Sequence, residues 1–328
     1  MPDVLVTGAT GFIGSRIVHL LQASGVRVRT CGRTPRPRPS LPNYVCTDLI
    51  AAEDCRPLLQ GVGIVIHAAG LAHRFRLQPG EEGQFYQANA VATEKLTRAS
   101  AEAGVEQFVL LSSVSVYGRH TRTETSESDP CHPDGPYALS KFDGERRALS
   151  VATETGMPVT ILRPATVYGE QDPGNVARLM AAIDRNRFVW IGTGENLKSL
   201  IHRDDVARAC LAVVEALPQT TGIYNLSGPP CAMRDIVEGL AVALRRRLPR
   251  WRIPARVVRH TTRAAAWLTR GRGRLGALHH AVQKWLIDDV YSGRKFEQTF
   301  HFQHQVHLAE GLSREVQWYR SCHNRNAA

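Results

Sequence analysis

"VTGATGFIG", residues 6–14, sets Gly8, Gly11 and Gly14 at G-x-x-G-x-x-G spacing between two readable elements. "DVLVTG" (3–8) reads as a strand, and "FIGSRIVHLLQASG" (12–25) carries apolar residues at helical spacing with a glycine stop. Glycines in such a turn let the backbone bend tightly and approach a pyrophosphate, whose charge the helix N-terminus stabilises. An ordinary glycine-rich strand-to-helix turn is the plainer reading, and the chain that follows decides between them. "VRVRTC" (26–31), "NYVCTDL" (43–49), "GIVIHAAG" (63–70) and "FVLLSSVSV" (108–116) read as strands. They alternate with the helical stretches "AAEDCRPLLQG" (51–61) and "NAVATEKLTRASAEAG" (89–104). That alternation predicts an α/β protein with a doubly wound parallel sheet, and the glycine turn then reads as a nucleotide cradle.

The rhythm changes after about residue 165. "PVTILRPATVYG" (158–169) is one more strand and loop, "GNVARLMAAIDRN" (174–186) a helix and "GIYNLSG" (222–228) a late strand. "MRDIVEGLAVALRRR" (233–247) and "AEGLSREVQWYR" (309–320) read as helices. The expected division is a nucleotide-binding domain over 1–165, to which part of 195–227 returns, and a smaller C-terminal substrate-binding lobe over most of 166–328.

The composition, 43% hydrophobic and 22% charged, suits a globular enzyme. No apolar run approaches the roughly 18–20 residues that span a bilayer. The opening "MPDVLVTGATGFIG" lacks a basic leader, so the expected location is cytoplasmic, with association at the inner face of a membrane left open. Seven cysteines without C-x-x-C spacing read as isolated reduced thiols rather than a disulfide framework or a zinc site, and no metal is expected. The net charge of +11 is concentrated. No acidic residue lies between Glu238 and Asp288, and positions 245–284 hold eleven arginines plus Lys284. The basicity therefore speaks of a local anionic partner.

Two further patterns carry chemistry. "LLSSVSVYG" (110–118) places Ser112, Ser113 and Ser115 at the carboxyl end of a strand, where ligands of parallel sheets bind; the plainer reading is that they cap the strand end. "GPYALSKFDG" (135–144) holds Tyr137 and Lys141 four positions apart, one above the other on a helix. With five lysines and eight tyrosines in the chain, about 0.12 such pairs are expected by chance. A phenol with a pKa near 10 is a poor base at neutral pH, and a neighbouring ammonium lowers it toward the working range. Ser113, Tyr137 and Lys141 read together as a proton-transfer unit.

"TGATGFIG", "VIHAAG", "SSVSVYG", "YALSK", "LRPATVYG" and "IHRDDVA" occur in the order and spacing of the extended short-chain dehydrogenase/reductase family. The chain resembles most its NAD(P)-dependent nucleotide-sugar epimerases, dehydratases and 4-ketoreductases, well over residues 3–240 and more loosely at the closing helix. The resemblance implies a Rossmann-type fold with Tyr137 as acid/base, Lys141 as its activator and ribose ligand, and Ser113 as the substrate hydroxyl partner. It implies that Gly8, Gly11 and Gly14 cradle the pyrophosphate beside Thr10, Phe12 and Ile13. Asp48 and Leu49 match the pair near the adenine, Ala68, Ala69 and Gly70 the backbone along the cofactor, and Pro164 the proline beside the nicotinamide. Asn89 matches a structural asparagine, although it and Asp205 read equally well as helix caps. Lys198 falls where the family has an arginine on the nucleotide diphosphate, and Thr166 and Arg256 are further substrate candidates. A homodimer is expected through residues 89–103 and 136–152.

Departures from the family pattern sharpen the expectation. The dehydratases follow the catalytic Ser/Thr with an Asp-Glu pair, whereas Val114 and Ser115 stand here, which disfavours dehydration. The second strand ends "RVRTCGR", without the acid that binds the adenosine ribose of NAD and with Arg29 and Arg33 instead. That favours NADP over NAD. His67 reads as a structural strand histidine, and neither it nor His73 has a second ligand spaced for a metal. The basic segment has three readings: solvated surface, phosphate binding by Arg256, Arg259 or Arg263, or peripheral membrane contact through 245–285, where Trp251, Trp267 and Trp285 are interspersed with arginines. No nucleic-acid-binding motif accompanies the charge.

The expected function is an epimerase or 4-ketoreductase acting on a nucleotide-activated sugar, in which a hydride moves between sugar C4 and the nicotinamide while Tyr137 moves the hydroxyl proton. Rival readings are a hydroxysteroid- or flavonoid-type carbonyl oxidoreductase and, more remotely, a non-catalytic cofactor-binding protein.

Overall fold

The computed structural model describes residues 3–35, 41–72, 82–118, 124–216, 221–268 and 285–325. His73 and the stretch 269–284 of the basic segment lie outside these residues. The chain forms two compact units: Met1–Val167 with Ile201–Gly228 and Tyr291–Val306, and Tyr168–Leu200 with Pro229–Val290 and His307–Ala328.

Among the described residues of the first unit, seven strands form one parallel sheet: β1 (Asp3–Thr7), β2 (Val28–Gly32), β3 (Tyr44–Cys46), β4 (Val62–His67), β5 (Gln107–Leu111), β6 (Val159–Pro164) and β7 (Gly222–Leu226). Their order is β7-β6-β5-β4-β1-β2-β3. The direction of winding reverses at β1, which lies between β2 and β4, so the strand ends there open a crevice for a ligand. Among the described residues the α-helices are, in chain order, α1 (Gly14–Ala23), α2 (Arg56–Leu59), α3 (Glu82–Tyr86), α4 (Ala92–Glu102), α5 (Pro136–Thr155), α6 (Asn175–Asp184), α7 (Arg203–Glu215), α8 (Met233–Leu244), α9 (Ala255–Leu268), α10 (Arg294–Phe300) and α11 (Leu308–Arg325).

Alternation along the strands feeds two cores. Val4, Val6, Ile64 and Ile66 pack with Ile17 and Leu21 of α1 and Val206 and Val213 of α7. Leu5, Val65, Phe108 and Ile161 pack with Leu96 of α4 and Ala148 of α5. Both faces are thus covered, which is why β4, β5 and β6 are buried throughout and lack polar–apolar alternation.

Several elements differ from the sequence reading, among them the strand expected over 108–116, which ends at Leu111 ahead of a short helical turn over Val114–Tyr117. The helix expected over 51–61 shrinks to the four residues of α2, because Ala52 N–H donates to the Asp48 carbonyl and Arg56 N–H to Asp54 Oδ1, folding the approach into turns. The helix expected from residue 89 follows a π-helical turn over Gln87–Val91.

In the second unit α6, α8 and α11 share a core of Leu179, Met180, Ile183, Ile236, Leu240, Leu312 and Val316. Short ladders pair Leu197–Lys198 with Cys231–Ala232 and Trp190–Ile191 with Arg252–Ile253.

Candidate active site

The turn between β1 and α1 is built on glycine for two separate reasons. Gly8 has φ +66°, and a Cβ there would stand 2.7 Å from the Ala69 backbone, so only glycine lets this turn close against the end of β4. A Cβ on Gly14 would collide with the Gly8 carbonyl oxygen, to which Gly11 N–H donates at 2.8 Å. Beside this turn lies a cavity of about 770 Å³. Gly8, Thr10, Gly11, Arg33, Asp48, Leu49, Ala68, Ala69 and Gly70, all singled out by sequence, line it. Phe12, Ile13, Gly14, Tyr137, Lys141 and Pro164 are not part of its wall. The Arg203 guanidinium lies 5.6 Å from the centre of the Phe12 ring, and Pro164 is buried at the end of β6.

Asn89 shapes the cavity rim. Its amide accepts from Leu71 N–H at 2.8 Å and donates to the Leu71 carbonyl and to Ser140 Oγ, each at 3.0 Å. Its reading as a helix cap is therefore replaced by that of a clamp on the loop after β4. Asp205 is not a cap either. It accepts from the Gln305 and Val306 amides and pairs with Arg208, while His202 Nδ1 accepts from Asp204 N–H at the start of α7. Sequence reasoning missed Thr34, Thr47, Leu71, Gln84 and Gln87 in the cavity wall. Thr47 and Leu71 adjoin flagged residues, but nothing in the pattern marks the two glutamines. Arg29, in β2, donates to the Leu58 carbonyl of α2, whereas Arg33, just after β2, lines the cavity.

Gly135, at φ +89°, turns the chain into α5, and Pro136 then begins the helix where no N–H is required. Tyr137 follows, its ring edge-on to Phe85 at 6.1 Å. Burial pushes the Tyr137 phenol above its ordinary value, and a hydrogen bond with the Ser113 side chain works the other way. Ser113 also accepts from Ser115 N–H at 3.1 Å, capping the short helical turn Val114–Tyr117. Lys141, one helical turn further, is buried and donates to the Leu111 carbonyl at 2.6 Å. Burial lowers this ammonium to about 8, while Glu145 opposes the shift. His67 bridges Thr7 and Thr93 at 2.7 and 3.1 Å, and burial holds it neutral with a pKa of about 3.

Behind Lys141 lies a buried polar network. Arg163 makes a two-pronged pair with Glu145 at 3.0 and 2.6 Å and donates to Tyr117 Oη at 2.9 Å. Tyr117 donates to Asn225 Oδ1 at 2.8 Å. The only sequence sign of this network was an arginine inside an otherwise apolar strand.

The glycine cradle and its cavity fit the pyrophosphate and adenosine of a dinucleotide. Residues 4–227 match the model of the NAD dependent epimerase/dehydratase family. The chain belongs to that family. Among the chain's relatives is a UDP-glucose 4-epimerase of Vibrio cholerae, 26% identical over 77% of this chain and 78% of the relative. A dTDP-glucose 4,6-dehydratase of Streptomyces antibioticus is 31% identical over 69% of this chain and 72% of the relative. Among solved structures, MoeE5 in complex with UDP-glucose and NAD superposes with a TM-score of 0.76 at 28% identity, covering 98% of this chain and 99% of that one.

Two sequence-predicted substrate residues of this family member lie in the second unit. Lys198 donates to the Ile287 carbonyl at 2.9 Å. Arg256 stands on α9 with Arg259, His260 and Arg263 around a recess of about 490 Å³. Thr166 is half-buried in the first unit, just beyond β6.

Proposed function

We propose that the chain is an NAD(P)-dependent nucleotide-sugar 4-epimerase or 4-ketoreductase with Tyr137 as its acid/base. The observation that carries this reading is that the Ser113 side chain acts on the Tyr137 phenol, lowering its pKa against burial, at the sheet edge that also bears the glycine cradle. The backbone at Gly8 and Gly11 binds the pyrophosphate, and Asp48 and Leu49 flank the adenine. When bound, the nicotinamide cofactor supplies the hydride acceptor and donor. Ser113 orients the sugar 4-hydroxyl, and Tyr137 takes the O4 proton as the 4-keto sugar forms or returns it as the alcohol re-forms. Burial alone holds Tyr137 protonated, so its work as a base requires the positive charge of Lys141 one turn away. Thr166 and Lys198 are assigned to the nucleotide sugar, Lys198 to its diphosphate. Val114 and Ser115, standing where an acidic pair would serve dehydration, weigh against loss of water.

NADP is the favoured cofactor. β2 ends on Gly32, whose Cβ position lies 3.0 Å from Tyr44 Oη and 3.2 Å from Thr10 Oγ1, and no ribose-binding carboxylate stands there. Arg33 follows on the cavity wall, suited to a 2′-phosphate. The chain is further read as a cytoplasmic homodimer pairing residues 89–103 and 136–152, with substrate recognition in the lobe after residue 165.

The test is NMR of UDP- and dTDP-hexoses and their 4-keto derivatives incubated with the protein and either cofactor, beside steroid and aryl ketones. A C4-epimer or a newly formed C4 alcohol is expected. Turnover of the ketones alone would replace this reading with that of a carbonyl oxidoreductase.

A further inference from the structure

We propose that the exposed face of α9 docks on an anionic lipid bilayer and holds this enzyme at a membrane surface. Arg256, Arg259, His260 and Arg263 fall at helical spacing on one face and surround one recess. Like charges stacked three and four residues apart repel, and an external anion opposite this face would relieve that repulsion. Other arginines of the same unit have carboxylate partners: Arg246 pairs with Asp184 and Arg314 with Glu170. Among the described residues, Arg256, Arg259 and Arg263 have none, and the sequence offers no acidic residue from 239 to 287.

Apolar groups accompany the charge. Val257 flanks the cationic row and is 52% exposed, and Trp251, four residues before α9, is 58% exposed. Cations for phosphate headgroups, an exposed valine on the same helix and an exposed tryptophan in the segment leading into it are the makings of a surface-lying helix. A solvated helix face mixes both signs of charge, whereas this one carries a single sign. A single diphosphate requires one or two guanidiniums, whereas three spread over two turns of helix match a plane of headgroups. This proposal is independent of the reaction assigned above.

The test is co-sedimentation of the full chain with phosphatidylcholine vesicles, with and without one-third phosphatidylglycerol. Binding to the anionic vesicles alone is expected at about 50 mM salt, with release at about 500 mM. The Arg256→Ala/Arg259→Ala/Arg263→Ala protein, its folding checked by thermal melting, is expected to bind at least tenfold more weakly. The single Arg259→Glu and Trp251→Ala proteins serve as milder probes and are each expected to weaken binding. No binding by the parent at low salt, or equal binding by the triple variant, would overturn the proposal. So would tighter binding to a DNA duplex than to vesicles, or binding of inorganic pyrophosphate that disappears in the triple variant.

Discussion

The Lys141 ammonium donates to the Leu111 carbonyl oxygen at 2.6 Å, tying the first turns of α5 to the end of β5. This contact fixes a positive charge one helical turn from Tyr137 and the strand end that carries Ser113. Lys141→Met keeps the length and removes the charge. Turnover is expected to fall by about 10²–10⁴-fold. The rising, acid-side limb of the pH–rate profile for alcohol oxidation is expected to move to higher pH, because Tyr137 then has only the Ser113 contact to set against its burial. A purely structural lysine would lower the rate without moving the limb.

Gly8→Ala tests the cradle. The added methyl would meet the Ala69 backbone at 2.7 Å in a conformation, φ +66°, that alanine avoids. A loss of about 1–3 kcal/mol in stability is expected. NAD(P)H binding, followed by fluorescence titration, should weaken at least tenfold. Gly25, also at positive φ but with open space around its Cβ position, provides the control for backbone strain alone.

The Glu145–Arg163 pair is almost wholly buried, with side-chain exposures of 2% and 3%. Removing one partner leaves the other charge buried. Glu145→Ala is expected to destabilise by about 3–5 kcal/mol, or about 10 °C in melting temperature. Replacing both residues with methionine should be milder than either single substitution, as calorimetry of the three proteins would show.

Glu315, on α11, is fully buried, and burial first and Asp172 second push its carboxyl up to about 9, against a backbone hydrogen bond from Gly169. Its folded-state pKa lies above the unfolded value of 4.5. The folded protein therefore holds a proton that the unfolded chain has released between these values, and stability declines as pH rises across that window. Glu315→Gln removes the decline. Its melting temperature should exceed that of the parent by roughly 3–8 °C at pH 8 and by little near pH 5.

The sheet and the cofactor cradle were legible because their causes are local. Three glycines between a strand and a helix, and apolar runs for doubly buried strands, need no knowledge of distant contacts. Nine of the residues flagged for the cofactor line one cavity for that reason. What escaped depends on pairing across the fold. The loop clamp formed by Asn89 spans eighteen residues, and Asp205 is satisfied by amides a hundred residues away. The short α2 was misread because its polar approach closes turns with side chains that helical periodicity ignores. Arg29 and Arg33 look alike in sequence, but Arg29 sits within β2 and donates to the Leu58 carbonyl, while Arg33 lies past the strand end on the cavity wall.

The central claim is that Tyr137 moves the proton. It is tested most directly by Tyr137→Phe, comparing single-turnover conversion of a nucleotide sugar with cofactor affinity measured on the same preparation. The account predicts that conversion falls by about 10²–10⁴-fold while the cofactor dissociation constant stays within a few-fold of the parent's. Conversion at the parent's rate would contradict it.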